Sequence, residues 1–282
     1  MIERRQSGMT TKQLHKEAFR VLKETSRTFY IPITFLKKEL KDAVAMSYLV
    51  MRALDEIEDD DVLAKEIKYD LLKEVEKMLV IKPFPNEDYL ALLAPYKHLL
   101  PEVTMRMNDW LSLTPAGAYD IVTAASSEMA GGMAKWAKLE FNVQTREDLD
   151  DYTYYVAGLV GVMLSNLFEW HDGETVNREL AIGYGRGLQA VNIIRNEKED
   201  MDERGVSFVP NGWTQADLFA YADENLAAAD EYMTTLHDKR ILMFCKLPLA
   251  LAHKSLKAIK DGREKMSRQE VEETVEEIKQ QA

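Results

Sequence analysis

The chain has 282 residues, 46% of them hydrophobic, and a formal net charge of −12. This length and apolar content are sufficient for a sizeable packed core. The acidic balance argues against a nucleic-acid partner, because phosphate backbones are bound by basic protein faces.

Cysteine content and apolar runs indicate where the protein resides. Cys245 is the only cysteine, which excludes an intrachain disulfide and fits a reducing compartment. No apolar stretch follows the first five residues, so we expect no signal peptide. The longest nearly apolar run, 156–168, is too short to span a bilayer. We therefore predict a cytoplasmic protein without a transmembrane segment, and leave peripheral membrane contact and oligomeric state open.

Apolar residues recur at helical spacing along most of the chain. The predicted helices cover residues 14–22, 40–57, 67–80, 89–100, 103–113, 118–136, 149–170, 180–195, 216–236 and 247–259. Thr214 and Ser267 are predicted helix N-caps, each followed three residues later by an acidic residue. Because there is no strand alternation and no linker-like composition, we predict one all-α domain over 1–282. Its C-terminal helix, about 263–282, is predicted to be peripheral.

A first acidic cluster ends the helix predicted at 40–57. Tyr48, Arg52, Asp55 and Asp59 are spaced so that they share one helical stripe. Two carboxylates four residues apart can bind Mg²⁺, which also keeps waters and takes phosphate oxygens as ligands. The alternative is a solvated acidic helix end, since the acidic residues continue to position 61. Crowded like charges favour the metal site, because a cation offsets their repulsion.

A second oxygen-rich cluster occurs at 189–200, where Asn196 and Asp200 are again four residues apart beside Arg195. The asparagine carbonyl is a weaker Mg²⁺ ligand than a carboxylate. An ordinary polar helix face is the alternative. Two such clusters facing each other, with arginines beside them, would form a site for Mg²⁺ ions that hold a diphosphate.

Two further segments carry weaker signals. Tyr152, Tyr155 and Gly158 share one face of the helix predicted at 149–170. Glycine inside a helix costs about 1 kcal/mol relative to alanine, so such glycines usually mark close approach of a second helix or a ligand. The segment 26–29, Ser-Arg-Thr-Phe, is predicted to be a short polar turn.

These motifs resemble those of the squalene synthase and phytoene synthase family of head-to-head prenyl transferases. Residues 48–60 and 189–200 resemble the family's two aspartate-rich motifs, and 152–165 resembles the helix with its catalytic tyrosine. Residues 26–29 resemble its N-terminal turn, and 129–133 its small-residue segment. The wording of the first aspartate-rich motif and of the tyrosine helix is closer to squalene synthases than to phytoene synthases.

The resemblance implies an all-α isoprenoid synthase bundle with a central cavity and a prenyl diphosphate substrate. The expected Mg²⁺ ligands are Asp55, Asp59, Asn196 and Asp200. Residues expected to bind the substrate are Ser26, Arg27, Phe29, Tyr48, Arg52, Gln189, Asn192 and Arg195. Tyr152 is expected to assist ionisation or proton transfer and, with Asp55, Asp59 and Asp200, to be catalytic. The apolar run 156–168 is expected to line the prenyl tail.

The expected reaction joins two farnesyl diphosphates through a cyclopropyl intermediate to a C30 product. The use of NADPH stays undecided, since family members that use it also lack a glycine-rich dinucleotide fingerprint. Two departures from the family favour an alternative. Residue 196 is Asn where the family has Asp, and the loop 203–210 differs. The alternative is a farnesyl diphosphatase or single-substrate terpene synthase that releases farnesol or a related product; a non-enzymatic binding protein is a further hypothesis.

Overall fold

The structure is a computed structural model that describes residues 8–281, with the side chains of residues 27, 28, 203 and 204 outside the described part. Every regular element in this part is helical, with no β-strand, as the sequence predicted. The α-helices are α1 (Thr11–Thr25), α2 (Arg27–Phe35), α3 (Lys38–Glu58), α4 (Lys65–Leu79), α5 (Asn86–Leu93), α6 (Glu102–Met105), α7 (Met107–Leu113), α8 (Tyr119–Lys138), α9 (Arg146–Thr153), α10 (Leu159–Asp172), α11 (Arg178–Glu199), α12 (Gln215–Thr235), α13 (Lys239–Lys260) and α14 (Arg268–Lys279).

Helix α3 lies at the centre of the bundle. Its long apolar stripe is buried almost continuously from Leu40 to Ile57. Helices α1, α2, α4, α6, α7, α8 and α10 contact it, so the first acidic cluster ends a helix that is held on several sides. Helix α11 packs against α10, α12 and α13. The second cluster therefore ends a helix on a different wall of the bundle.

Two predicted helices are broken where the backbone forbids continuation. The helix predicted at 89–100 stops at Leu93 and continues only as the 3₁₀ turn Ala94–Tyr96, because Pro95 lacks the N–H that an α-helix interior needs. The helix predicted at 103–113 divides into α6 and α7, since Arg106 between them leaves the helical region at φ −114° and ψ 24°.

The helix predicted at 149–170 contains a π-helical turn at Tyr154–Gly158, which joins α9 to α10. Such turns are rare and occur mostly at functional sites. Helix α13 begins at Lys239, well before the predicted start at 247, because the Asp238 side chain caps the N–H groups of Arg240 and Ile241. The segment predicted as a polar turn at 26–29 instead starts α2, with Ser26 as its N-cap.

Both predicted helix N-caps, at Thr214 and Ser267, are confirmed, and each forms a capping box. The second one starts α14, which packs mainly against α13. Val275 and Ile278 of α14 form a small apolar cluster with Met243 and Leu247 of α13, separate from the main core. The described end of the chain is therefore a helix laid against one outer face of the bundle.

Candidate active site

A cavity of about 530 Å³ lies among the helices and is the setting of the candidate site. Helices α2, α3, α8, α10, α11 and α13 and the π-helical turn surround it. The apolar part of the lining includes Val44, Met51, Val160, Leu164 and Phe244. This is the shape and surface that an apolar chain of moderate length would occupy.

The lining changes from apolar to polar along two of the helices. On α3 the lining residues extend from Val44 to Asp55, and on α11 they extend from Tyr184 to Arg195. In both cases the polar residues lie toward the C-terminal end of the helix. Because helix C-termini carry partial negative charge, this end of the cavity favours cations before any carboxylate is counted. We call it the polar end.

On the α3 side of the polar end, one arginine lies between two carboxylates. Arg52 donates from Nε to Glu56 Oε1 at 2.8 Å, and its Nη1 lies 3.8 Å from Asp55 Oδ2. Both Arg52 and Asp55 line the cavity. The i, i+3 and i, i+4 spacing predicted from sequence therefore produces contacts on one helical face.

Among the side chains of this cluster, Asp55 has the most strongly shifted pKa. Burial and, after it, the charge of Asp59 raise the pKa of Asp55 to about 7, although Arg52 opposes the shift. About a third of the side chain, 35%, stays accessible, so the carboxylate can reach a ligand in the cavity. A carboxylate that is costly to ionise alone is well suited to a divalent cation.

The start of α2 completes the polar end from another direction. Ser26 Oγ accepts the backbone N–H of Phe29 at 3.0 Å, and both residues line the cavity. Tyr48 on α3 donates to the carbonyl of Thr25 at 3.1 Å; burial raises the pKa of its hydroxyl. Helix N-termini attract anions through their unpaired N–H groups, so the polar end offers an anion contact beside the carboxylates.

On the α11 side, the arginine is held by amides. Arg195 donates from Nη2 to Asn192 Oδ1 and from Nε to Asn196 Oδ1 at 3.2 Å. Arg195, Asn192 and Gln189 line the cavity. The two clusters predicted from sequence thus contribute to the same cavity, one with carboxylates around its arginine and the other with neutral oxygens.

Four of the expected site residues are not among those that line the cavity: Asp59, Tyr152, Asn196 and Asp200. Asp59 is the C-cap of α3, and Asp200 begins the π-helical turn Asp200–Arg204 after α11. The side chain of Arg27 lies outside the described residues. Their expected roles stay predictions.

Tyr152 lies in an aromatic cluster beside the cavity wall. Its ring stacks on Phe208 at 4.7 Å and an interplanar angle of 19°, and Trp136 meets it edge-on at 5.6 Å. Phe208 belongs to the loop 203–210, so this loop contacts the predicted catalytic tyrosine directly.

Two glycines let α11 approach the π-helical turn. A Cβ at Gly161 would overlap the carbonyl oxygen of Ala181, and a Cβ at Gly185 would overlap that of Ala157. The residues on this wall, Ala157, Gly161 and Gly185, also line the cavity. Gly161 lies in the helix whose glycines were predicted to mark close approach, and it does so at the cavity wall. The apolar run 156–168 supplies several of the lining residues.

The oxygen donors at the polar end fit a hard cation such as Mg²⁺, which prefers carboxylates, waters and phosphate oxygens. Within the described residues, no group of three or more His, Cys, Asp or Glu side chains is preassembled as a metal site. The protein would therefore supply only part of a coordination shell, as expected where substrate phosphates supply the rest. The raised pKa of Asp55 is the observation that supports this fit.

Sequence reasoning assigned no site role to α13, yet it forms one wall of the cavity with Phe244, Pro248, Leu251, Ala252 and Ser255. The signal available was an apolar helix containing a proline. That pattern is shared by many core helices, so it could not identify a cavity wall.

The fold is that of an all-helical isoprenoid synthase. A family model described as "Squalene/phytoene synthase" matches residues 22–218. The chain belongs to the squalene/phytoene synthase family.

Named relatives agree. The chain is 29% identical over 280 residues to squalene synthase of Schizosaccharomyces pombe, covering 86% of this chain and 59% of that protein. It is 31% identical over 265 residues to squalene synthase 10 of Panax ginseng, covering 83% of this chain and 61% of that protein. The chain thus spans about 60% of the length of these relatives.

Solved structures share the fold. A TcSQS–ligand complex superposes with a TM-score of 0.76 at 25% identity, covering 95% of this chain and 86% of that one. A dehydrosqualene synthase–ligand complex superposes with a TM-score of 0.64 at 21% identity, covering 96% of this chain and 96% of that one. Among the described helices, none combines the length and hydropathy that a membrane crossing requires.

Proposed function

We propose that the protein is a Mg²⁺-dependent prenyltransferase that ionises farnesyl diphosphate and condenses two molecules head-to-head to a C30 product. The observation that carries this proposal is one cavity whose lining combines an apolar interior with polar residues from both the α3 and the α11 clusters. The family membership and the names of the relatives support the reaction class. Farnesyl diphosphate is the substrate that a squalene or dehydrosqualene product requires.

The polar end would hold the diphosphate while the bond between C1 and oxygen breaks. Asp55, with Asp59 and Asp200 as the other expected carboxylate ligands, would hold Mg²⁺, and the bound cation would supply charge neutralisation for the leaving diphosphate. Arg52 and Arg195 would donate to its oxygens, since guanidinium groups pair well with phosphate. The backbone N–H groups at the start of α2 would add contacts that strengthen as charge develops on the leaving group.

The apolar interior would then protect the allylic cation. Residues of the π-helical turn and α10, such as Val156, Val160 and Leu164, present hydrocarbon to the cavity. Excluding water favours attack by the double bond of a second prenyl chain over capture by hydroxide or water. Attack forms a carbon–carbon bond to the carbon that lost diphosphate and leaves a tertiary cation, which loses a proton as the cyclopropane ring closes. Departure of the second diphosphate then allows rearrangement to the C30 skeleton, and the final cation is discharged by loss of a proton or, where NADPH is used, by hydride.

One observation favours a second candidate, a prenyl diphosphatase or single-substrate terpene synthase. Residue 196 is an amide, and Tyr152 is packed on Phe208 and is not one of the lining residues. A site that ionises one substrate but does not complete the coupling would release farnesol or a related product. The apolar walls argue against simple hydrolysis, because a cavity that excludes water disfavours capture of the cation by water.

Product analysis by gas chromatography with mass detection tests the proposal. The purified protein is given Mg²⁺ and farnesyl diphosphate, with and without NADPH. We expect a C30 hydrocarbon, absent in EDTA, and its hydrogen count reports whether NADPH is used. Farnesol as the sole Mg²⁺-dependent product would support the second candidate. No turnover of farnesyl diphosphate under any of these conditions would contradict both.

A further inference from the structure

The arginines at the polar end differ in what neutralises them. Arg52 is held by the carboxylate of Glu56, with Asp55 close by. Arg195 is held by the amide oxygens of Asn192 and Asn196. Within the described part of the chain, no carboxylate forms an ion pair with Arg195. Its positive charge is therefore uncompensated, although it stands on a strongly acidic protein.

The amide of Asn196 is already engaged by its neighbour. Only the carbonyl oxygen of an asparagine side chain can coordinate Mg²⁺, and in Asn196 this oxygen accepts the N–H of Arg195 Nε at 3.2 Å. Asn196 is also not one of the residues that line the cavity, whereas Arg195 and Asn192 are. Asn196 is thus placed to act on Arg195 rather than on a ligand in the cavity.

The guanidinium keeps donors for a ligand. Arginine has five N–H donors in a planar fork, and two of those of Arg195 go to the amide oxygens. The remaining donors are those that could reach an anion at the polar end. An aspartate at 196 would instead place a negative charge on Nε and reduce the pull of Arg195 on an anion.

We propose that Asn196 is a positioning residue and not a magnesium ligand: with Asn192 it holds Arg195 as an uncompensated guanidinium that binds the substrate's diphosphate directly, without a metal between them. This rests on the proposed function, since it assigns the diphosphate to the polar end. Among the described residues that line the cavity, the metal ligand is then Asp55 on α3, and α11 contributes direct anion binding through Arg195.

Two calorimetric titrations test this division, with inorganic diphosphate as the probe. The first measures diphosphate binding in EDTA at low ionic strength. The second measures Mn²⁺ binding in the presence of diphosphate. The variants are Asn196→Ala and Asn196→Asp. Lys198→Gln is the matched control, because it changes the net charge by the same single unit at an exposed position on the same helix.

Without metal, Asn196→Asp should weaken diphosphate binding about fivefold, the effect of one exposed ion pair, while Lys198→Gln changes it by less than about twofold. Asn196→Ala should weaken metal-free diphosphate binding by about two- to fivefold through lost positioning of Arg195. It should leave the Mn²⁺ dissociation constant within about twofold of the wild-type value. A purely structural role would not make the two titrations respond differently.

The proposal is overturned if Asn196→Ala weakens Mn²⁺ binding about tenfold or more, as loss of a ligand would, or if Asn196→Asp leaves metal-free diphosphate binding unchanged. Asp55→Asn separates this failure from failure of the proposed function. It should weaken Mn²⁺ binding whatever the role of Asn196. If it does not, the metal assignment on α3 fails, and the metal-free titration still decides the role of Arg195.

Discussion

The C-terminal parts of α3 and α11 line one cavity with different chemistry. The α3 end is set in the core, and its carboxylates are crowded enough to raise the pKa of Asp55 to about 7. The α11 end places amides around Arg195. The negative charge of Asp55 is therefore unfavourable unless a cation is bound beside it. Arg195, by contrast, needs no metal in order to bind an anion. Similar spacing in two motifs does not make the two sites equivalent.

The largest expected effect is on the α3 side. Asp55→Ala should lower kcat/KM about 10³-fold, because it removes the one metal-ligating carboxylate that lines the cavity. Asn196→Ala should lower it far less, about tenfold. Steady-state assays with farnesyl diphosphate at saturating Mg²⁺ measure both. Asp61→Ala, an exposed carboxylate in the same segment, is the control. Equal losses at 55 and 196 would contradict the difference between the two ends.

The next expected effect is on stability, and it concerns the close packing of α11 against the π-helical turn. Gly185→Ala should lower the free energy of unfolding by about 3 kcal/mol, because the new Cβ meets the carbonyl of Ala157 on the π-helical turn. Gly212→Ala meets no atom within 4 Å and adds only the strain of a φ of +80°, about 1 kcal/mol. Chemical denaturation compares the two. Similar losses would show that the close approach of α11 is easily relaxed.

Substitutions of Tyr152 and Phe208 test whether the aromatic cluster around Tyr152 takes part in catalysis. Tyr152→Phe keeps the stacking on Phe208 and removes only the hydroxyl, so we expect a drop in kcat of about 10- to 100-fold with little change in KM. Phe208→Leu removes the stacking and serves as the comparison, measured in the same assay. A pure KM effect, or a larger loss in Phe208→Leu than in Tyr152→Phe, would assign Tyr152 to packing.

The smallest expected effect is on thermal stability, because the negative charge of Asp55 destabilises the metal-free fold at high pH. Its pKa rises from 3.8 to about 7 on folding, so its protonated form stabilises the fold below pH 4. That contribution is lost as the pH rises through 7. Without metal, Asp55→Asn should therefore raise Tm at pH 8 and change it little at pH 4. Thermal denaturation in EDTA measures this. A lower Tm at pH 8 would mean that the charge is already compensated in the metal-free protein.

Local sequence patterns predicted much of the fold. The helical period, the helix N-caps at Thr214 and Ser267 and the all-α class are confirmed, and the motifs pointed correctly to the squalene/phytoene synthase family. The misplaced boundaries have local causes that the period alone hides, such as Pro95 within 89–100 and the cap at Asp238.

The sequence by itself determined which residues could share a helical face, because a spacing of three or four residues fixes this within one helix. It therefore identified Arg52 with Asp55, and Asn192 with Arg195. Only the tertiary structure brought α3, α11 and α13 around one cavity and put Tyr152 against Phe208. Those relations depend on packing between segments far apart in the chain, which no local spacing encodes.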